Sequence, residues 1–524
     1  MTTDLFRAPA AAAIAAAVAL ACAISVANAD TFLVNRADDN GGKHTLRWAI
    51  EQSNAINLGD PDAAGNRILI AAASAGTKPF VIKPTGDFLP PLVGPVVVQG
   101  VRTGAPGSPP SIILDGSGLI RPRTPGDCPG ATHTYDFARG AWITTQVNGS
   151  GPNVRGYYGG GLAVHDSHDV EITGLEIRNF CAGVVGVRSN NINVHDVRLV
   201  DHHGAAGLIF TGDNGTAGVT ALSFNNRLAN SILLDNGDGF EFTRGTRDSI
   251  AEGNYIALTQ PLPEDGNAVE FANPGSNNSL IGNVFTKYRI TSVSLNAGGS
   301  NHIVRDNDIS FNLGPGLSVN GPGSVISNNN ISDNGGTAVA LTGSGQRFAE
   351  NTVRNNSGIG VSITNNATVG VTISRNSIAG NAGLGIDLAP TGPNPNDLAA
   401  ACADGFPDCD TGPNGKQNFP VLDASSRWTA SGVVLNGSLA SRPNQTYAIE
   451  FFASRAADPS GFGEGEVYIG SIAVTTDSSG NATITASLSG GSPLGNATSG
   501  YFTATATDPG GSTSEFSQAL QLSR

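Results

Sequence analysis

Short apolar strands recur along the middle of this chain: GLAV at 161, VVGV at 184, GLIF at 207, GFEF at 239, AVEF at 268, SVSL at 292, GLSV at 316, AVAL at 338, GVSI at 360 and GIDL at 385. Their starts differ by 23, 23, 32, 29, 24, 24, 22, 22 and 25 residues. A second landmark keeps the same step. Asn254, Asn283, Asn307, Asn329, Asn351 and Asn376 are spaced by 29, 24, 22, 22 and 25. Two landmarks sharing one period mean one structural unit per repeat. The unit is too short for a strand–helix–strand crossover, and helical periodicity is absent after about residue 60, so successive copies must stack strand on strand. That is a parallel β-helix, an all-β fold with coils of about 22–25 residues.

Each repeating Asn suits the turn between two strands of a coil. Its backbone tolerates the left-handed conformation, and its amide can bond to the same residue one coil away. Upstream, RILIA, FVIKP, PVVVQG and SIILDGSG read as earlier, less regular coils. Before them, TLRWAIEQSNA places Leu46, Ala49 and Ile50 on one face behind Thr45 as N-cap. An amphipathic helix there would close the first coil, whose apolar end and strand edges are otherwise open. After residue 390 the period stops. GVVLNGSL, TYAIEFFAS, VYIGSIAVTTD, NATITASL and YFTATATDP are alternating strands joined by turns, the pattern of an antiparallel immunoglobulin-like β-sandwich. The expected organisation is 1–29 signal peptide, 30–160 N-terminal cap and irregular coils, 161–390 regular parallel β-helix, 391–417 linker and 418–524 sandwich.

The first 29 residues carry one basic residue, Arg7, an Ala-rich apolar run and Ala27-Asn28-Ala29, which reads as a cleaved export signal. Lipidation at Cys22 is the competing reading, disfavoured by Ala19 three places upstream. No later run reaches the ~18 apolar residues of a membrane helix. A secreted, periplasmic or cell-surface location and a monomer are expected. An oxidising compartment permits disulfides: Cys402 and Cys409 are the expected local bridge, and the sequence leaves open whether Cys128 pairs with Cys181. The net charge of −14 argues against nucleic acid and against unaided binding of polyanions.

The stretch HTLRWAI, with Leu46, Arg47, Ala49 and Ile50, together with NGKQNFPVL at 414–422 and ATDPGGSTSEFS at 506–517, resembles exported bacterial right-handed parallel β-helix repeat proteins. In those proteins a Cys-Ser-Leu-Arg-Glu-Ala segment precedes the coils and a sandwich follows them. His44 and Trp48 depart from the Cys and Glu of that pattern. The resemblance implies the architecture and leaves the activity open.

Chemistry is expected where the outward column of the strand motif turns acidic. Taken motif by motif, the third position runs Ala163, Gly186, Ile209, Glu241, Glu270, Ser294, Ser318, Ala340, Ser362 and Asp387. Only Glu241 and Glu270 are acidic neighbours. In-register strands would hold their carboxyls about 4.8 Å apart, close enough to raise one pKa and separate an acid from a base. The two long intervals fall at about 211–226 and 258–267, beside these coils, where loops would wall a site. Asp238 joins the pair as a catalytic candidate. Arg244, Asp235, His203, His165 and Arg188 are candidate substrate-binding residues. Asp235, Asp238 and Asp265 form a candidate calcium set, and no other cofactor is expected.

The expected partner is an extracellular polysaccharide lying along the outer groove. A glycoside hydrolase using Glu241 as acid and Glu270 as nucleophile or base is the leading expectation. A non-catalytic glycan-binding or adhesin-like protein is the alternative. The third is a lyase or epimerase, in which Arg188, Arg244 or calcium would neutralise a substrate carboxylate.

Overall fold

The computed structural model describes residues 30–60, 63–71, 79–101, 110–119, 131–146, 160–204, 206–212, 223–262, 266–429, 431–489 and 491–524. The expected export signal, Cys22, Cys128 and Asp265 lie outside them. Each coil gives one strand to each of three parallel sheets, which among the described residues hold 12, 11 and 10 strands. The third sheet contains the strands whose recurrence defined the period, including Asp238–Thr243, Val269–Phe271 and Val293–Leu295.

Along each strand alternate residues enter the coil. Phe240 and Phe242 are fully buried while Glu241 between them is half-buried. Phe242 stacks between Phe210 and Phe271 at ring separations of 5.8 and 5.1 Å. Aromatic rings thus fill the floor under the acidic strands, which answers for the density of Phe there.

The register corrects the expected alignment of the repeats at three places, by one position in the first two and by two in the third. Val185, not Gly186, pairs with Ala163 and Ile209. Val187 pairs with Thr211, so Arg188 falls outside the column of Thr211 and Thr243. Val200 pairs with Leu234, so Asp201 rather than His203 stands level with Asp235. VVGV hides the first two slips because Gly and Val alternate in it, and the third arises because the connection before GLIF is two residues longer than the one before GFEF.

The Asn series is a buried ladder. Asn329 Oδ1 accepts from the backbone N–H and the Nδ2 of Asn307, both at 3.0 Å, and its own Nδ2 donates to Val304 O and Asn351 Oδ1, both at 2.9 Å. The left-handed residue of each turn is the one before the ladder Asn: Gly253, Gly282, Asp306, Asn328, Glu350 and Arg375 have φ between 55 and 64°. The expected amide bonding is present, then, but the strained backbone belongs to the neighbour. A second ladder runs at the next corner through Asn312, Asn334, Asn356 and Asn381. Asn329→Ala removes the acceptor for two donors of Asn307 and the donor to Val304 O. At ~1–3 kcal/mol per orphaned buried group, a loss of about 3 kcal/mol or more is expected in denaturant unfolding. A loss under about 1 kcal/mol would show that the ladder only fills space.

The N-terminal helix α1, Leu46–Gly59, forms as its sequence predicts. Thr45 Oγ1 accepts from Trp48 N–H at 3.3 Å, and Leu46, Ala49 and Ile50 are buried in the core of the first coils. Arg47 pairs with Asp39 at 2.6 Å and donates to the carbonyls of Asp87 and Phe88. An antiparallel hairpin, Ala131–Asp136 with Ala141–Gln146, interrupts the early coils. Its alternation is too short to stand out from the irregular sequence around it.

At the other end two four-stranded antiparallel sheets enclose a second core that includes Trp428, Leu435, Ile449, Phe451, Ile484 and Phe502. This module is built onto the last coil. Glu450 accepts from Ser374 Oγ and Arg375 N–H at 2.6 and 2.8 Å, and Glu515 accepts from Leu388 and Asn394 N–H at 2.9 and 2.8 Å. Phe452 and Phe516 are buried within the β-helix core itself. The segment 391–417 is packed between the two: Asn414 exchanges bonds with both backbone groups of Val371, and Cys402–Cys409 closes its central loop. Cys181 is also disulfide-bonded. Among the described residues no helix is long and apolar enough to cross a membrane.

Candidate functional site

Glu241 and Glu270 pair directly across adjacent strands of the third sheet. Asp238 opens the same strand as Glu241, three residues earlier on the outer face. One carboxylate oxygen from each of these three residues lies within 4.8 Å of the others. Upstream on the same face the cluster abuts a buried apolar patch of Ala182, Val185, Val187, Ala206 and Ile209. Thr211 and Thr243, also buried, flank it. This is a small acidic site set against an apolar wall, and the sequence reading brought its three carboxylates together correctly.

The environment separates their roles. Burial first, then the charges of Asp238 and Glu270, push the Glu241 carboxyl well above the usual carboxylate range, while Arg244 acts in the opposite direction. Glu270 is raised by burial and restrained by a hydrogen bond from Asn296 Nδ2 at 3.1 Å. Asp238 Oδ1 accepts from Asn267 N–H at 2.6 Å. Like charges this close cannot all remain ionised. The physical relief is a proton on Glu241 together with the Arg244 charge beside it, giving a proton donor and a base on one face.

The other expected binding residues lie elsewhere or are already engaged. Asp235 is buried, with both oxygens taken by Thr259 N–H and Oγ1, each at 2.6 Å, and by Gln260 Nε2 at 3.2 Å. It anchors the start of the long second loop. Of the expected calcium set, Asp265 lies outside the described residues and Asp238 groups with Glu241 and Glu270, three carboxylates close enough to share a cation. Arg188 is tied to Asp166 at 2.5 Å by two parallel bonds. His165 lies under Trp142, ring centroids 5.3 Å apart, and burial pushes its imidazole down to about 4. His203 is 3% exposed and 3.7 Å from Asp201. These four were expected from proximity in the sequence, and register shifts of one residue at Arg188 and two at His203 removed both from the alignment assumed.

Asn267, one residue before AVEF as Asp238 is one residue before GFEF, was legible in the sequence; Asn296 is the polar partner that sequence reading missed, since it directly follows the strand end at Leu295, where nothing in the motif marks it.

The right-handed beta helix region family matches residues 275–398. Among solved structures, the catalytic unit of an α-1,3-glucanase from Streptomyces thermodiastaticus is 15% identical at a TM-score of 0.42, over 70% of this chain and 66% of that one. The A-module of a mannuronan C-5 epimerase from Azotobacter vinelandii is 13% identical at 0.38, over 68% and 93%. Likenesses at this level concern the shared fold alone. A curated relative reaches much further: the 3-dehydroshikimate dehydratase of Acinetobacter baylyi is 31% identical over 523 residues, spanning 95% of this chain and 96% of its own. The chain belongs to the family of that dehydratase.

Proposed function

We propose that this protein is a dehydratase that removes water from 3-dehydroshikimate or a closely similar cyclic hydroxy-keto acid. The supporting observation is the cluster of Asp238, Glu241 and Glu270, in which burial and neighbouring carboxylates push the Glu241 carboxyl above the usual carboxylate range beside an ionisable partner and Arg244. The relationship to the Acinetobacter baylyi dehydratase over nearly the whole chain supplies the substrate class.

Loss of water from a β-hydroxy ketone needs two proton transfers. Glu270 takes the proton from the carbon next to the ketone. The C–H electron pair forms the new C=C bond as the C–O bond to the β-hydroxyl breaks, and Glu241 gives its proton to that oxygen, which leaves as water. Asp238 keeps Glu241 protonated through its charge. Arg244, in the cationic role a lyase reading requires, binds the substrate carboxylate. The apolar wall lowers the local dielectric, which strengthens each of these interactions.

A glycoside hydrolase is the second reading, favoured by the direct pairing of Glu241 with Glu270, since retaining enzymes use two carboxyls about 5 Å apart. One screen separates the readings. The mature protein is incubated with 3-dehydroshikimate and, separately, with neutral and acidic polysaccharides with and without calcium. Conjugated ultraviolet-absorbing product from the small acid, with no new reducing ends from any polymer, is the expected result. Reducing ends from a polymer and no reaction with the small acid would replace the dehydratase reading with hydrolysis. Binding of a polymer without any product would leave an adhesin-like role.

A further inference from the structure

Two glutamates in register on one sheet face are equivalent until their surroundings differ, so the pairing of Glu241 with Glu270 does not by itself say which of them is the base. On the upstream side the difference is Asp238, which shares the Glu241 strand and pushes that carboxyl up. The downstream side supplies a donor instead. Glu270 is level with Ser294 in the next strand of the sheet, Val293–Leu295, and Asn296 follows that strand directly. The titratable groups around Glu270 therefore belong to the upstream side, where Glu241 and Asp238 are followed by Arg244; Val293–Leu295 carries none.

Asn296 is exposed, yet both ends of its amide are engaged. Ser294 Oγ donates to Asn296 Oδ1 at 3.2 Å, and Asn296 Nδ2 donates to Glu270 Oε1 at 3.1 Å. The hydroxyl on Oδ1 turns the amide nitrogen toward the carboxylate, because the flipped amide would set two oxygens against each other. The backbone is fixed as well. Asn296 N–H donates to Phe271 O at 3.0 Å, which ties the residue to the Glu270 strand although its own strand has ended. Phe271 is level with Leu295, so the residue next in line opposite Asn296 is Ala272, whose single methyl leaves the path to Glu270 open.

We propose that Asn296, locked by Ser294, is the positioning residue that makes Glu270 the base of the pair, holding Oε1 so that the other carboxylate oxygen receives the substrate proton. A donor aimed at a carboxylate favours its charged form, and Glu270 is restrained by this bond against the upward push of burial. The two glutamates are thereby told apart from both sides: a carboxylate beside Glu241, a donor beside Glu270. Asn296 acts through Glu270 rather than on the reacting atoms. Only the kinetic part of its test rests on the dehydratase reading.

The test is Asn296→Ala, read by isotope-edited infrared titration of the glutamate carboxyls in the resting protein, with the Glu270 band assigned by its loss in Glu270→Gln. Loss of the donor should move Glu270 up by about one pH unit with little change in thermal midpoint. In turnover of 3-dehydroshikimate the acid limb of the profile should move up by the same step, so that kcat on that limb falls about tenfold while KM changes little. Ser294→Ala should shift Glu270 in the same direction by less, and should do nothing in an Asn296→Ala background, because Ser294 acts through the amide. An Asn296→Ala titration superimposable on wild type overturns the proposal, as does an equal effect of Ser294→Ala with and without Asn296. If Asn296→Ala does not fold, Asn296→Asp, which keeps the shape and exchanges the donor for an acceptor, is read by the same titration; it should raise Glu270 further, and no shift there overturns the proposal too. Failure of the wild-type protein to turn over 3-dehydroshikimate would sink the dehydratase reading, and the titration would still decide the role of Asn296.

Discussion

Glu241→Gln should lower kcat for dehydration by about 10³-fold, within the range that a positioned acid or base supplies. The amide keeps the shape and hydrogen-bonding reach of the side chain but has no proton to give to the leaving hydroxyl. Glu270→Gln should cost a similar factor, because the base is lost instead. Near-ultraviolet circular dichroism should be unchanged in both, since each residue is half-buried on the outer face and the aromatic floor beneath is untouched. The wild-type pH profile carries a further sign. Glu241 works in its acid form, and burial with two neighbouring carboxylates raises its pKa. Activity should therefore persist above the ordinary carboxylate range and fall as pH rises through the raised value. Steady-state kinetics of product absorbance measure all three effects. Full activity in both variants would remove the pair from the mechanism, and Asp238 would become the remaining carboxylate of the site.

Removing residues 418–524 should abolish the cooperative fold. The sequence alone suggests an accessory module whose loss leaves the β-helix intact; the structure changes that expectation. The module forms the floor of the last coil, with Phe452 and Phe516 inside the β-helix core and three glutamates, Glu450, Glu464 and Glu515, accepting backbone N–H groups from the final turns. Without it the last strands of all three sheets present open edges and the apolar side chains Ile378, Ile386 and Leu388 to water. Such an end templates aggregation. Phe516→Ala in the full chain is the milder form of the same test, with an expected loss of about 3–5 kcal/mol. A soluble fragment ending at residue 417 that unfolds in one transition at the wild-type temperature would return the module to an accessory role.

The coil period, the pairing of Glu241 with Glu270, the helix behind Thr45 and the Cys402–Cys409 bridge were all legible in the sequence. Each depends on spacing along the chain or on contacts repeated every coil, and a stacked fold converts spacing directly into neighbourhood. The family resemblance also pointed to the architecture while leaving the reaction open. What the chain could not disclose depends on register within a coil or on contact between distant segments. VVGV and the turns before the strands admit shifts of one or two residues, and those shifts moved Arg188 out of line with Thr211 and His203 out of line with Asp235. Asp235 looked available until the loop from Thr259 was seen to consume its oxygens. The seating of Phe452 and Phe516 in the β-helix core could not be read from the chain either, because contact between segments far apart in the sequence is decided only by the packed interior.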